Sequence, residues 1–322
     1  MGDGLPNKRM QQTKPDHEWS FAAAALLGGE TASSRLAEES SEISIVTQGR
    51  ISQTALKVAL ALVTLSVKDD WARRLPPGLA EVSERLLLAS GSPGYGPRLM
   101  RASKQPWMIR VYQIQDLMMP RQFEGFGHRK VFMQQQVEAA IKQGARQVLV
   151  LGAGFDTLCL RLAPQYDHVQ FFEVDHPATS AAKARGVALE GQPANIIQIA
   201  ADLGEQALSE VLSEDGRWQS SLPTVLLAEG LFQYLTDDEV RGLLRDAAAC
   251  TSPGSRLAFT HAIPGKRRML SILARLIGEP WKSAVRSEDL PEYVEGTGWT
   301  MVSDVDTDSA HGVERYAVAE RR

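Results

Sequence analysis

The sequence predicts an α/β protein built on a mostly parallel sheet with helices on both faces. Two observations carry this. Five apolar runs of strand length recur after residue 145, and helical segments lie between them. The runs are continuous rather than alternating, as strands covered on both faces are. A third observation is the glycine turn VLVLGAGFDT, Val148 to Thr157, which opens the series and leads from a strand into a helix.

Bulk composition limits the classes of function. The chain has 322 residues, 43% hydrophobic and 23% charged, and a formal net charge of −4. That is an ordinary globular composition with no basic footprint for nucleic acid or an anionic membrane. Cys159 and Cys250 cannot form a disulfide framework and fit a reducing, cytoplasmic setting. The six histidines show no H-E-x-x-H pattern and the cysteines no C-x-x-C, so no metal site is expected.

Residues 1–41 mix Gly, Ser, Gln and charge without periodicity, and a disordered arm is expected. Its apolar patch, Phe21 to Leu27, has Asp16 and Glu18 where a signal peptide needs positive charge. A helical region is expected over 51–125. Ile51 to Val67 reads as a buried amphipathic helix with Ser52 or Thr54 as N-cap, too short to span a bilayer. Leu79 to Leu88 and Trp107 to Met118 read as further helices, separated by a break at Gly91 to Pro97. The remainder, 126–322, forms the core, with an insert over 262–291 that would help the helical region cover the site.

In the core, Val131 to Gln143 reads as a helix stopped by Gly144. The strands are Gln147 to Leu151, His168 to Val174, Asn195 to Ala200, Thr224 to Glu229 and Arg256 to His261. Thr179 to Leu189 and Asp237 to Ala249 are intervening helices, the second opened by a capping box of Thr236 and Glu239. Such sheets bind ligands at the carboxyl ends of their strands, so the residues just after each strand are informative.

Gly152 and Gly154 let a ligand lie against bare backbone. A dinucleotide turn would carry a third glycine and bind pyrophosphate at the helix start. Here that position is Thr157, preceded by Asp156, whose carboxylate would compete for the same N–H groups. Asp156 suits a cap, or a ligand bearing positive charge such as S-adenosyl-L-methionine. Asp175, 21 positions after Gly154, is placed to accept ribose hydroxyls, with Glu173 left open. Asp202 ends the third strand beside Leu203. Glu229 follows the fourth strand, where a carboxylate needs a partner. Tyr234 and His261 are the candidates for a catalytic role, each with a structural alternative in core packing or a satisfied histidine.

The segments RQVLVLGAGFDTLCLRL, FFEVDHP, ADL, LPTVLLAEGLFQYLTDDEVRGLL and GEPW resemble, in order and spacing, the leucine carboxyl methyltransferase-like family. This is a branch of the class I S-adenosylmethionine-dependent methyltransferases, and the chain resembles its bacterial small-molecule members over about residues 52–320. The resemblance implies a Rossmann-like fold with a mostly parallel seven-stranded sheet and an N-terminal helical lid. It implies that Gly152 and Gly154 approach the cofactor and Asp175 takes the ribose. Asp202 and Leu203 would hold the adenine, with Glu229 near the methionine end and Arg129 on the methionine carboxylate. Many members have an arginine after the D-T pair, where this chain has Leu158. The implied reaction is O-methylation of a carboxylate or acidic hydroxyl on a small molecule, by positioning. The alternatives are a nicotinamide-dependent Rossmann oxidoreductase and a non-catalytic cofactor-binding member of the fold.

Overall fold

The five apolar runs form five parallel strands of a seven-stranded sheet, in a computed structural model that describes residues 50–117, 121–264, 281–305 and 314–322. The strands are β1 (Gln147–Leu151), β2 (Gln170–Asp175), β3 (Ile196–Ala200), β4 (Thr224–Ala228), β5 (Arg256–Ala262), β6 (Trp299–Val305) and β7 (Glu314–Arg321). Their order is β3-β2-β1-β4-β5-β7-β6, with β7 antiparallel to both neighbours. The order reverses between β1 and β4, which pair in parallel from Gln147 with Thr224 to Leu151 with Ala228. That reversal leaves a crevice beyond the carboxyl ends of β1 and β4.

The described helices of eight or more residues are α1 (Gln53–Leu65), α2 (Leu79–Ala89), α4 (Pro106–Gln115), α5 (Gln122–Lys142), α7 (Pro177–Leu189) and α9 (Asp237–Ala249). Shorter ones are α3 (Pro97–Ser103), α6 (Leu158–Leu162), α8 (Leu208–Glu214) and α10 (Leu290–Val294). Alternation along each strand divides the core in two. Val148, Val150, Phe171 and Val225 join the N-terminal helices α1–α5 on one face. Leu149, Leu151, Phe172 and Leu226 join α8, α9 and α10 on the other. None of the described helices is long and apolar enough to cross a membrane.

Local chemistry explains the ends that matter. Ser52 caps α1, its hydroxyl accepting the Ala55 N–H at 3.1 Å. Thr236 and Glu239 make the reciprocal capping box of α9. Gly144 follows α5 with φ +105°, a conformation open to glycine.

The N-terminal helices are packed tightly onto the core. In α5, Gly127 lies against Trp71 and Leu65, and a Cβ there would fall 2.4 Å from the Trp71 ring. In α7, Gly186 meets Leu86 of α2, with a Cβ-to-Leu86 distance of 2.5 Å. Arg85 of α2 also bonds Glu190 at the end of α7, Nη2 to Oε2 at 2.7 Å.

Three expectations need adjustment. The helix expected from Val131 begins at Gln122, because QFEGFGHRK, although glycine-rich, packs Phe123, Gly127 and Arg129 inward. The break at Gly91 to Pro97 is shorter than expected, since Pro97 starts α3 as a favoured first helical residue. Strands β6 and β7 went unread, their polar residues hiding the apolar positions. The arm over 1–41 lies outside the described residues, as does most of the insert over 262–291.

Candidate active site

A cavity of about 210 Å³ lies beyond the carboxyl ends of β1 and β4. The turn after β1 forms its floor through Gly152 to Asp156, and Asp175 borders it from the end of β2. Glu229 to Leu231, Gln233 and Tyr234 close it from beyond β4. Ser52, Ala55, Val58 and Leu62 of α1 and its cap form the roof, with Phe126, Arg129 and Lys130 from α5. Glu314, the first residue of β7, and Trp281 complete the wall.

The turn owes its path to its glycines. Gly152 has φ +64° and Gly154 φ +47°, both in the left-handed region. Gly152 N–H donates to the Val174 carbonyl at 2.9 Å, tying the turn to β2. Asp175 in turn accepts the Gly154 N–H through Oδ2 and the His176 N–H through Oδ1. Burial pushes the Asp175 carboxyl above the ordinary value, and those two amide donors oppose the rise.

Charged groups dominate the far wall, and each is held by a neighbour from another element. Lys130 Nζ lies 3.2 Å from Asp156 Oδ1 and 2.7 Å from Glu229 Oε1. Arg129 Nε lies 2.8 Å from the same Glu229 oxygen, an ion-pair contact without hydrogen-bond alignment. Arg129 Nη1 donates to Glu314 Oε2 at 2.8 Å, and Gln233 Nε2 donates to Glu314 Oε1 at 3.0 Å. A continuous ionic chain therefore runs Asp156–Lys130–Glu229–Arg129–Glu314 and ends on the neutral Gln233 amide. Burial works against the Arg129 charge, but Glu314 and Glu229 outweigh it and hold the guanidinium protonated above its usual range. Among the described residues, four acids (Asp156, Asp175, Glu229, Glu314) and two bases (Arg129, Lys130) line the cavity. Two buried oxygens in its wall have no donor, Glu229 Oε2 and Gln233 Oε1.

Asp156 has two duties. Its Oδ1 accepts the N–H groups of Thr157 and Leu158, at 2.6 and 3.1 Å, and so caps α6. Burial would raise its carboxyl, but Lys130, Lys183 and Arg161 prevail and lower it to about 2. The depressed value means that Asp156 stabilises the fold above its unfolded pKa, and that this contribution is lost as pH falls towards 2. The Asp156→Asn variant is expected to lose about 2 kcal/mol at neutral pH and to show a shallower fall in stability between pH 4 and 2. Denaturant titrations across that range test this; parallel pH profiles would contradict it.

The other expected residues are placed as follows. Glu173 shares the face of Asp175 but lies outside the cavity lining; it is buried with Lys183 Nζ 2.8 Å from Oε2. Asp202 and Leu203 also lie outside the lining. They stand next to Asp175, because Ala201 N–H donates to the Asp175 carbonyl at 2.9 Å. Asp202 accepts the Gly204 N–H, and its Oδ2 is 3.8 Å from His176 Nε2. Tyr234 lines the cavity. His261 does not: its Nδ1 is 3.1 Å from the Val285 carbonyl, beside a separate small cavity with Phe232 and Ser283. Sequence reasoning missed Lys130, Gln233 and Glu314. Lys130 stands beside Arg129 in GHRKVF, and its place emerges only through its partners Asp156 and Glu229. No group of residues with metal-ligand spacing occurs among the described residues.

Comparison with known proteins shows which family the chain falls in. The leucine carboxyl methyltransferase family profile matches residues 83–248. A protein of Parafrankia sp. (strain EAN1pec), named "Putative S-adenosyl-L-methionine-dependent methyltransferase", is 33% identical over 178 residues, 53% of this chain and 56% of the relative. One of the same description from Streptomyces coelicolor is 31% identical over 198 residues, 60% of this chain and 66% of the relative. The chain thus spans between about half and two thirds of the curated relatives it matches. The crystal structure of a "putative methyltransferase" from Thermobifida fusca YX superposes with a TM-score of 0.52 at 18% identity, covering 77% of this chain and 98% of that one. This is a likeness of fold: a Rossmann-like seven-stranded sheet with helices on both faces. The chain belongs to the leucine carboxyl methyltransferase family.

Proposed function

We propose that the protein is an S-adenosyl-L-methionine-dependent O-methyltransferase acting on a carboxylate or acidic hydroxyl of a small molecule. The observation that carries the reading is the charge inventory of the cavity. Among the described residues, four acids against two bases around a left-handed glycine turn favour a ligand with net positive charge. S-adenosyl-L-methionine brings a sulfonium and an ammonium, and supplies an activated methyl group.

The chain's own residues then bind and align. Asp175 accepts the ribose hydroxyls, and Gly152 and Gly154 let backbone approach the ligand. Arg129 meets the methionine carboxylate, and Glu229 Oε2, buried without a donor, accepts from the ammonium. Asp202 and Leu203, tethered beside Asp175, flank the adenine. The packed roof of α1 and α5 excludes water from an in-line displacement, which needs close and aligned reactants more than covalent help. A carboxylate acceptor is ionised at neutral pH and needs no base, whereas a hydroxyl must lose its proton.

Asp156 speaks against the nicotinamide alternative. Its carboxylate already holds the amides of Thr157 and Leu158, where a pyrophosphate would bind. Calorimetric titration with S-adenosyl-L-methionine and with NADH separates the two, and a methyl-donor assay over carboxylates and phenols separates an enzyme from a non-catalytic binder. The Asp175→Ala variant is expected to bind S-adenosyl-L-methionine about 1.5–3 kcal/mol more weakly, through loss of a charge-assisted acceptor. Unchanged affinity in a folded variant would remove Asp175 from the site.

A further inference from the structure

We infer that Gln233 is a specificity-determining residue that selects a neutral hydroxyl acceptor, on an aromatic ring, over a free carboxylate. The inference rests on the proposed methyl-transfer reading and narrows its substrate class. Gln233 is 2% exposed and lines the cavity. Its amide has one orientation open to it, because the Glu314 carboxylate can only accept and lies 3.0 Å from Nε2. The side-chain carbonyl is therefore the free end, and it has no donor. A buried acceptor without a donor is a standing penalty that a ligand O–H relieves and a ligand carboxylate, which has no proton to give, does not.

Charge supports the same choice. Glu314 and Glu229 share the Arg129 guanidinium, and Lys130 is held between Glu229 and Asp156, so the cations of this end are already engaged. Lys282, the next residue after Trp281, lies beside Glu239 on the outside of the cavity, Nζ to Oε2 at 3.8 Å. A carboxylate entering next to Glu314 meets like charge, and the described residues bring no further cation to the cavity, a cost that a neutral phenol avoids. Phe126, Tyr234 and Trp281 in the lining offer flat apolar faces for a ring. In the transfer, the methyl carbon exchanges its bond to sulfur for one to the phenolic oxygen. Sulfur keeps the electron pair, and the hydroxyl proton passes to the Glu314 carboxylate, which lies against Gln233 in the lining.

The probes are 2-naphthol and 2-naphthoate, which share a ring system and differ in the group presented. Calorimetry on the full chain first measures S-adenosylhomocysteine binding, whose absence would overturn the methyl-transfer reading itself. With the protein saturated by that ligand, 2-naphthol is expected to bind about tenfold more tightly than 2-naphthoate. Gln233→Leu is expected to lower 2-naphthol affinity about tenfold and to leave S-adenosylhomocysteine affinity within about twofold. Tighter binding of 2-naphthoate, binding of neither probe, or an unchanged preference in Gln233→Leu would each overturn the inference. If Gln233→Leu does not fold, Gln233→Met takes its place, and the wild-type preference between the two probes decides the substrate class by itself.

Discussion

Arg129→Met is expected to destabilise the protein by about 3 kcal/mol, since it strips the shared guanidinium from the buried Glu229 carboxylate and the partly buried Glu314 carboxylate. Glu229 would keep Lys130, at 2.7 Å, but Glu314 would keep only the Gln233 amide. The cost is that of leaving charge buried and uncompensated, and it exceeds what the ion pairs contribute as pairs. The double variant Arg129→Met/Glu314→Gln, which also removes one of the stranded charges, should recover part of the loss, with a coupling on the order of 0.5–3 kcal/mol. Chemical denaturation of wild type, Arg129→Met, the Glu314→Gln single variant and the double variant measures both quantities. A single variant within about 1 kcal/mol of wild type would mean that solvent reaches this wall and that the chain of charges is weakly coupled.

Gly127→Val should be the most damaging of the substitutions in the joint between the N-terminal helices and the core. Even the first added carbon would sit 2.4 Å from the Trp71 ring and 2.6 Å from Leu65. Trp71 and Leu65 are fully buried, so neither can swing into open space. Overpacking of this kind costs about 1–3 kcal/mol for one methyl-sized step, and valine adds two further carbons. The helix itself would slightly prefer valine to glycine, so a loss of stability isolates the packing term. The thermal midpoint should fall by several degrees, at about 2–4 °C per kcal/mol. A valine variant as stable as wild type would show that α1 and α5 are held apart rather than interlocked.

The sheet was legible where burial on both faces leaves no room for polar residues. Gln147–Leu151 and Asp237–Ala249 follow directly from an apolar run and from a capping box before a periodic face. Trp299–Val305 and Glu314–Arg321 were not legible, because these antiparallel strands carry polar residues within WTMVSDV and at both ends of ERYAVAER. In the site, the glycine turn, Asp175 and Glu229 could be read, since each directly follows or ends a strand. Lys130 and Glu314 could not, because their roles depend on partners across the fold. Glu314 meets Arg129 over a separation of 185 residues, and no local pattern encodes that meeting. Glu173 could not be separated from Asp175 by alternation alone, since both point to one face and only the position of Lys183 distinguishes them.

That separation has a consequence for the birth of the protein. Arg129 and Lys130 emerge from the ribosome well before Glu314, and translation at about 5–20 residues per second puts roughly 10–40 s between them. Through this interval Arg129 can pair with Glu229 at most, and β5 has no β7 beside it. The parallel half of the sheet can assemble as it is made, but the cavity wall cannot close until β7 slots between β5 and β6. Completion of the site is therefore a late, long-range event in the life of the nascent chain, and in this interval a vacant strand position at β5 is open to wrong partners.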